Sequence, residues 1–278
     1  MTRVLVLGRH GQLARALAST AWPVGWQAAF AGRAQVDLTQ ADGIAPFLDQ
    51  SGADVVINTA AYTAVDQAES EAEAAFALNA EAPGLMAEAC ARAGRLLIHL
   101  STDYVFGGEG EGPFVEDAAV APVNAYGRSK AEGELRVIAQ APDAGVIRTA
   151  WLMSPSTGFV ATIIRRAQAG ESLRVVCDQR GNPTQASDLA QALVRVAQDR
   201  LSGRGQGGWL HAAGPETASW FDLARSALAP LGLEAQVKPV FSNDYPTIAR
   251  RPRDSRLDVM RLAHIHGIEL SSWTHWVA

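Results

Sequence analysis

An α/β chain, doubly wound about a parallel sheet and carrying a smaller interleaved lobe, is what three observations in the sequence predict. Val4 to Leu7 is a short apolar run followed at once by Gly8, Gly11 and Ala14 and then by an alanine-rich helical pattern. This is the strand, tight turn and helix of a dinucleotide-binding unit. Apolar runs then alternate with helical stretches as far as Val146 to Thr149, the rhythm of βαβ units. One of those runs, Leu96 to Leu100, delivers Ser101, Thr102 and Asp103 at its carboxyl end, where open α/β sheets hold their ligands. The expectation is a Rossmann-type NAD(P)-binding domain over residues 1–150 and a mainly substrate-binding lobe over 151–278, with some late segments returning to the first domain.

Composition narrows the partners. The chain has 278 residues, 48% hydrophobic and 19% charged, enough for a full core and far from the make-up of a disordered chain. A net charge of −5 argues against general attraction to nucleic acid or to a membrane surface, so a small molecule is the expected partner. Cys90 and Cys177 show no metal-type spacing, and no disulfide is expected. The opening MTRVLVLG is apolar too briefly for a signal peptide or a membrane span, which makes the cytoplasm the expected location.

Taken in order, the first turn places Gly8 at the bend, Gly11 where backbone amides meet a pyrophosphate, with Gln12 and Leu13 beginning the helix whose amino end favours the anion. Ala14 keeps that helix close to the strand. The second strand, Gln27 to Ala31, ends at Gly32 and Arg33. An acid there would bond a ribose hydroxyl, whereas an arginine pairs with a 2′-phosphate; the chain has the arginine, so NADPH is expected, with NADH as second choice. The alternative for Arg33 is a solvated loop residue. Asp37 and Leu38 follow beside the adenine. Ala53 to Thr59 is a third strand, after which the small Ala60 and Ala61, and then Tyr62, let a cofactor pass closely. Ala72 to Ala93 is helical with a break or kink at Pro83, and Asn79 is read either as a backbone clamp near the site or as an ordinary polar helix residue. Gly107 to Gly112 has the composition of a mobile surface turn or lid. Later come a helix begun by Asp188 with Leu189, Leu193 and Val196 on its apolar face, a strand from Trp209 to Ala213, and a helix from Ser219 to Leu231 capped by Ser219 or Thr217.

Tyr126 and Lys130 stand four apart in a helical segment and so share a face. With Thr102 they gather a hydroxyl, a phenol and an ammonium at one sheet edge. Hydride arriving at a ketone creates an alkoxide; the phenol is the positioned acid, the ammonium eases its loss of a proton and holds a nicotinamide ribose, and Thr102 holds the substrate oxygen. The plain alternative is an amphipathic helix pair and an N-cap.

The segments GRHGQLA, NTAAYTAVDQAE, STDYVFGG, YGRSK, RTAWL, DQRGNPT and ARRPRDSRLD resemble the dTDP-4-dehydrorhamnose reductase family, extended members of the short-chain dehydrogenase/reductase superfamily. YxxxK marks only the superfamily, whereas DQRGNPT and RRPRDSRL are much more specific. The resemblance implies NADPH-dependent reduction of dTDP-4-dehydro-β-L-rhamnose, with Thr102, Tyr126 and Lys130 catalytic and Asp103, Tyr104, Val105 and Trp151 near the sugar. It also implies that one or two of Arg250, Arg251, Arg253 and Arg256 reach the substrate phosphates, Arg253 foremost. Some relatives carry a helix-one glutamate that serves a magnesium-bridged dimer; Ala16 stands there, so no metal ligand is expected, and the chain is read as a monomer or a homodimer. Rival readings are a nucleotide-sugar epimerase or dehydratase, disfavoured because Tyr104 replaces the acid that elimination needs, and a non-catalytic subunit like the regulatory partner of methionine adenosyltransferase.

Overall fold

The computed structural model describes residues 1–108, 112–154 and 157–275. In chain order the first half runs β1 (Thr2–Leu7), α1 (Gln12–Ser19), β2 (Trp26–Ala31), α2 (Ala41–Ser51), β3 (Val55–Asn58), α3 (Ala72–Phe76), α4 (Ala82–Arg92), β4 (Leu96–Thr102), α5 (Ala125–Gln140) and β5 (Gly145–Thr149). The second half runs β6 (Leu152–Met153), α6 (Phe159–Gln168), β7 (Leu173–Val176), β8 (Arg180–Gly181), β9 (Thr184–Gln185), α7 (Ala186–Leu201), β10 (Gly208–His211), β11 (Ala218–Ser219), α8 (Trp220–Leu228), β12 (Val237–Val240) and α9 (Met260–His266). Six strands form one parallel sheet in the order β10-β5-β4-β3-β1-β2.

Alternate side chains of β1 leave its two faces. Val4 and Val6 pack with Leu13 and Leu17 of α1 and with Leu189 and Leu193 of α7. Leu5 and Leu7 pack with Ile44 and Leu48 of α2, Met86 of α4 and Val137 of α5. The sheet is thus covered on both sides, as its near-continuous apolar strands require. α7 and β10 lie after residue 150 in sequence, yet the first packs on α1 and the second pairs with β5. A smaller core joins α6, α8, β7 and β12 through Ile163, Leu173, Val175, Leu228 and Val237.

Element boundaries moved for identifiable reasons. β4 runs on through Ser101 and Thr102, because both pair with β5, at Arg148 and Thr149. The expected break near Pro83 lies just before it: a π-helical turn, Ala77–Glu81, joins α3 to α4, and Pro83 falls in the first turn of α4, where a missing N–H costs little. α7 begins at Ala186, two residues ahead of Asp188, whose carboxylate accepts instead from the Ser271 N–H. α8 is capped by Ser219, not Thr217, in a reciprocal box with Asp222, and gives way to a 3₁₀ turn at Ala229. The core of the expected Gly107–Gly112 lid, residues 109–111, lies outside the described residues. Among the described residues no helix is long and apolar enough to cross a membrane, and Cys90 and Cys177 are free thiols.

Candidate active site

The carboxyl ends of β1 to β5 open on a cavity of about 710 Å³. At one end lies the first turn. Gly8 adopts φ 94°, a conformation that favours glycine, and a Cβ there would sit 2.7 Å from the Ala60 nitrogen. Gly11 caps α1 without any side-chain bond to its first amides, which leaves the helix amino end available to an anion. Gln12, Leu13, Arg33, Asp37, Leu38, Ala60 and Ala61 line the same cavity, and so do Thr102, Asp103, Tyr126, Lys130 and Trp151. Three buried polar atoms on its wall, Gln12 Oε1, Ser101 Oγ and Thr149 Oγ1, have no hydrogen-bond partner in the protein. Buried polar atoms are ordinarily satisfied; orphans beside a glycine turn and a bare helix end are the donor and acceptor set that a dinucleotide fits.

Tyr62 departs from expectation. Its hydroxyl donates to Glu71 at 2.8 Å and its ring packs with Ala68, Ala75 and Ala125, away from the cavity. Its backbone is what matters: Asn79, fully buried, accepts from the Tyr62 N–H, donates to the Tyr62 carbonyl, and donates to Ser129 of α5. Asn79 therefore clamps the loop after β3 to the helix that carries Tyr126. Arg33 is exposed and paired with Asp37 at 3.0 Å, so the acid expected beside the adenine is engaged with Arg33 and Thr39. The Thr39 hydrogen bonds, with Arg33 adding to them, hold the Asp37 carboxyl below its usual range.

At the other end of the cavity Thr102 stands beside Tyr126 and donates to Asp103 at 3.1 Å. Burial pushes the Tyr126 phenol up to about 12, with Thr102 opposing. Lys130 is buried and donates to the Leu100 carbonyl at 2.6 Å; burial brings its ammonium down to about 8 against the pull of Glu134. In this arrangement the Lys130 Nζ is turned to the β4 backbone, one helical turn from Tyr126. Asp103 accepts from Ser255, and burial raises its carboxyl to about 7, with Ser255 and Thr102 opposing.

Around Tyr126 a second, smaller cavity of about 220 Å³ is bounded by Thr63, Asp103, Tyr104, Trp151, Phe159 and Trp220, among others. Trp151 sits at φ 39°, rare for a non-glycine residue. Its ring is stacked on Trp220 at 3.6 Å and pressed against Gly181, where a Cβ would lie 2.4 Å away. Val105 faces neither cavity. It is fully buried in the core with Phe106 and Leu257. Tyr104 stands edge-on to Tyr126 with Arg251 nearby, whose guanidinium holds Asp66 at 2.8 Å.

Arg253 lines a third cavity of about 630 Å³ together with Gly107, Gly108, Asn243, Arg250 and Arg251, and it donates to Asn243 at 3.2 Å. Arg256 is turned instead to Asp254 at 2.6 Å. Ser255 and Asp66 lie within the segments ARRPRDSRLD and NTAAYTAVDQAE, yet their roles in tying the late segment to Asp103 and to the loop after β3 were not legible in sequence, because their partners are 152 and 185 positions away. His99 was missed too, although a lone histidine inside the apolar run Leu96–Leu100 is a signal of buried polar structure.

A family model described as the RmlD substrate binding domain matches residues 1–278. A relative from Sinorhizobium fredii (strain NBRC 101917 / NGR234), named dTDP-4-dehydrorhamnose reductase, is 38% identical over 98% of this chain and 94% of its own. Among solved structures, a dTDP-4-dehydrorhamnose reductase from Clostridium acetobutylicum ATCC 824 superposes with a TM-score of 0.92 at 31% identity, over 99% of this chain and 96% of that one. A dTDP-4-dehydrorhamnose reductase from Bacillus anthracis str. Ames, solved in complex with NADP, gives 0.90 at 30% identity, over 100% and 98%.

Proposed function

The chain belongs to the dTDP-4-dehydrorhamnose reductase family, and from that premise we propose that it reduces the 4-keto group of dTDP-4-dehydro-β-L-rhamnose with NADPH, giving dTDP-β-L-rhamnose in the synthesis of the activated sugar. The observation that carries this reading is a single cavity joining the Gly8 turn to Thr102, Tyr126 and Lys130. We divide the chain accordingly: residues 1–150 with α7 and β10 bind the nucleotide cofactor, and the remaining later segments bind the sugar nucleotide.

Gly8, Gly11 and the α1 amino end would hold the cofactor's pyrophosphate and Arg33 its 2′-phosphate, with the unpartnered Gln12, Ser101 and Thr149 on the same wall. When bound, NADPH supplies the hydride. Tyr126 keeps its proton in the free protein, its phenol being raised to about 12, and gives it up to the sugar oxygen only as negative charge develops there. Thr102 steadies that oxygen, and Asp103 and Trp151 border the sugar. Arg253, in the neighbouring cavity, takes a phosphate of the substrate.

NADPH oxidation followed by absorbance, with dTDP-4-dehydro-β-L-rhamnose as substrate and the product sugar identified, tests the reading. Consumption of NADPH is expected, and Tyr126→Phe is expected to lose at least about 100-fold in turnover while still binding NADPH. Full activity in that variant would remove the acid role.

A further inference from the structure

Beneath Lys130 lies a buried row of polar groups that the reduction as written above does not employ. The Ala60 N–H donates to Asn58 Oδ1 at 3.1 Å, which turns the amide so that its Nδ2 faces His99 Nδ1, also at 3.1 Å. An amide nitrogen only donates, so His99 Nδ1 must accept, and the single ring proton then sits on Nε2. That nitrogen lies 3.3 Å from Lys130 Nζ, whose other contact is the bond it donates to the Leu100 carbonyl. All three side chains are buried, so a mismatched pair among them carries the full cost of desolvation.

Counting protons along the row gives an asymmetry. An ammonium at Lys130 has no lone pair to receive Nε2–H, and two donors then stand face to face. If the ring instead moves its proton to Nδ1 to accept from the ammonium, the mismatch reappears against Asn58 Nδ2. A neutral amine accepts from Nε2–H and still donates to Leu100, so every contact has one donor and one acceptor.

We propose that Asn58 and His99 form a tautomer lock on Lys130: His99 is a positioning residue whose Nε2–H favours the neutral amine and so makes the charge of Lys130 titratable where a fixed cation would otherwise stand. The groups acting on Lys130 are His99 from β4 and Glu134 one turn along α5, itself bound to Arg148 of β5, with Tyr126 one turn back on the same helix. Burial, against Glu134, brings the Lys130 ammonium down independently of this row, and burial, with Lys130, holds His99 well below the usual imidazole range, in keeping with a neutral ring. The lock itself is a property of the free protein; its use, supplying or withholding charge beside Tyr126, rests on the reductase reading.

Two-bond proton–nitrogen spectra of the full-length, ligand-free protein with labelled histidine, assigned through the backbone at about pH 9, test the lock without any activity. His99 is expected neutral with its proton on Nε2; a proton on Nδ1, or an imidazolium, overturns the proposal while leaving the reductase reading standing. Asn58→Asp then offers a carboxylate to both Ala60 N–H and His99 Nδ1–H, which reverses the tautomer and frees Nε2 to accept from the ammonium. The expected result is a Nδ1-protonated ring and an alkaline limb of turnover shifted upward by about one pH unit or more. A reversed ring with an unmoved limb overturns the link to Lys130. Should that variant not fold, the wild-type spectrum alone decides.

Discussion

At the scale of single residues, the site's chemistry is written in groups held away from their ordinary ionisation. Asp103 is one such case, since burial raises its carboxyl to about 7 in the fold against 3.8 ordinarily. Between about pH 4 and 7 the unfolded chain has released this proton while the folded chain still keeps it, so the group's contribution to stability is present below that window and is lost as pH rises through it. Asp103→Asn removes the penalty: its melting temperature relative to wild type should climb from pH 4 to pH 7, and a constant difference across that range would contradict the burial argument. Arg33 lies at the opposite extreme, exposed and paired with Asp37. Its identity was plain from sequence, yet its occupation by Asp37 was not, because a pair four residues apart across a turn has no helical periodicity to announce it.

At the scale of elements, α5 is the part on which the site depends, and its seating is set by what lacks a side chain. Gly133 lets α5 approach the π turn so closely that a Cβ would lie 2.0 Å from the Asn79 carbonyl oxygen. Backbone cannot yield as a flexible side chain can. Gly133→Ala should therefore cost about 1–3 kcal/mol in urea unfolding, and it should lower turnover by displacing Tyr126 and Lys130 along with the helix. Gly43→Ala in α2, with nothing within 4 Å of the added Cβ, is the control and should hold or gain up to about 1 kcal/mol through helix propensity. Both are merely helical glycines in the sequence; only packing separates them.

At the scale of the whole molecule, the site is assembled through contacts from distant parts of the chain. Arg251 binds Asp66, Ser255 binds Asp103, and Gly108 lies against the Arg253 backbone. If Arg253 serves the sugar nucleotide and not the cofactor, Arg253→Ala should raise the KM for dTDP-4-dehydro-β-L-rhamnose about tenfold, the loss of one charged hydrogen bond, and leave the KM for NADPH unchanged; a rise in both would place the residue elsewhere. The βαβ order, the glycine turn, the strand ending at Thr102 and the Tyr126–Lys130 spacing are local patterns, set by side-chain periods of two and of 3.6, and the sequence by itself determined them. The burial of Val105, the turning of Tyr62 away from the cavity, the Asn79 clamp and the His99 row depend on which segments meet after folding. Those meetings are fixed by packing and by the pairing of buried polar groups across long separations, so only the tertiary structure decided them.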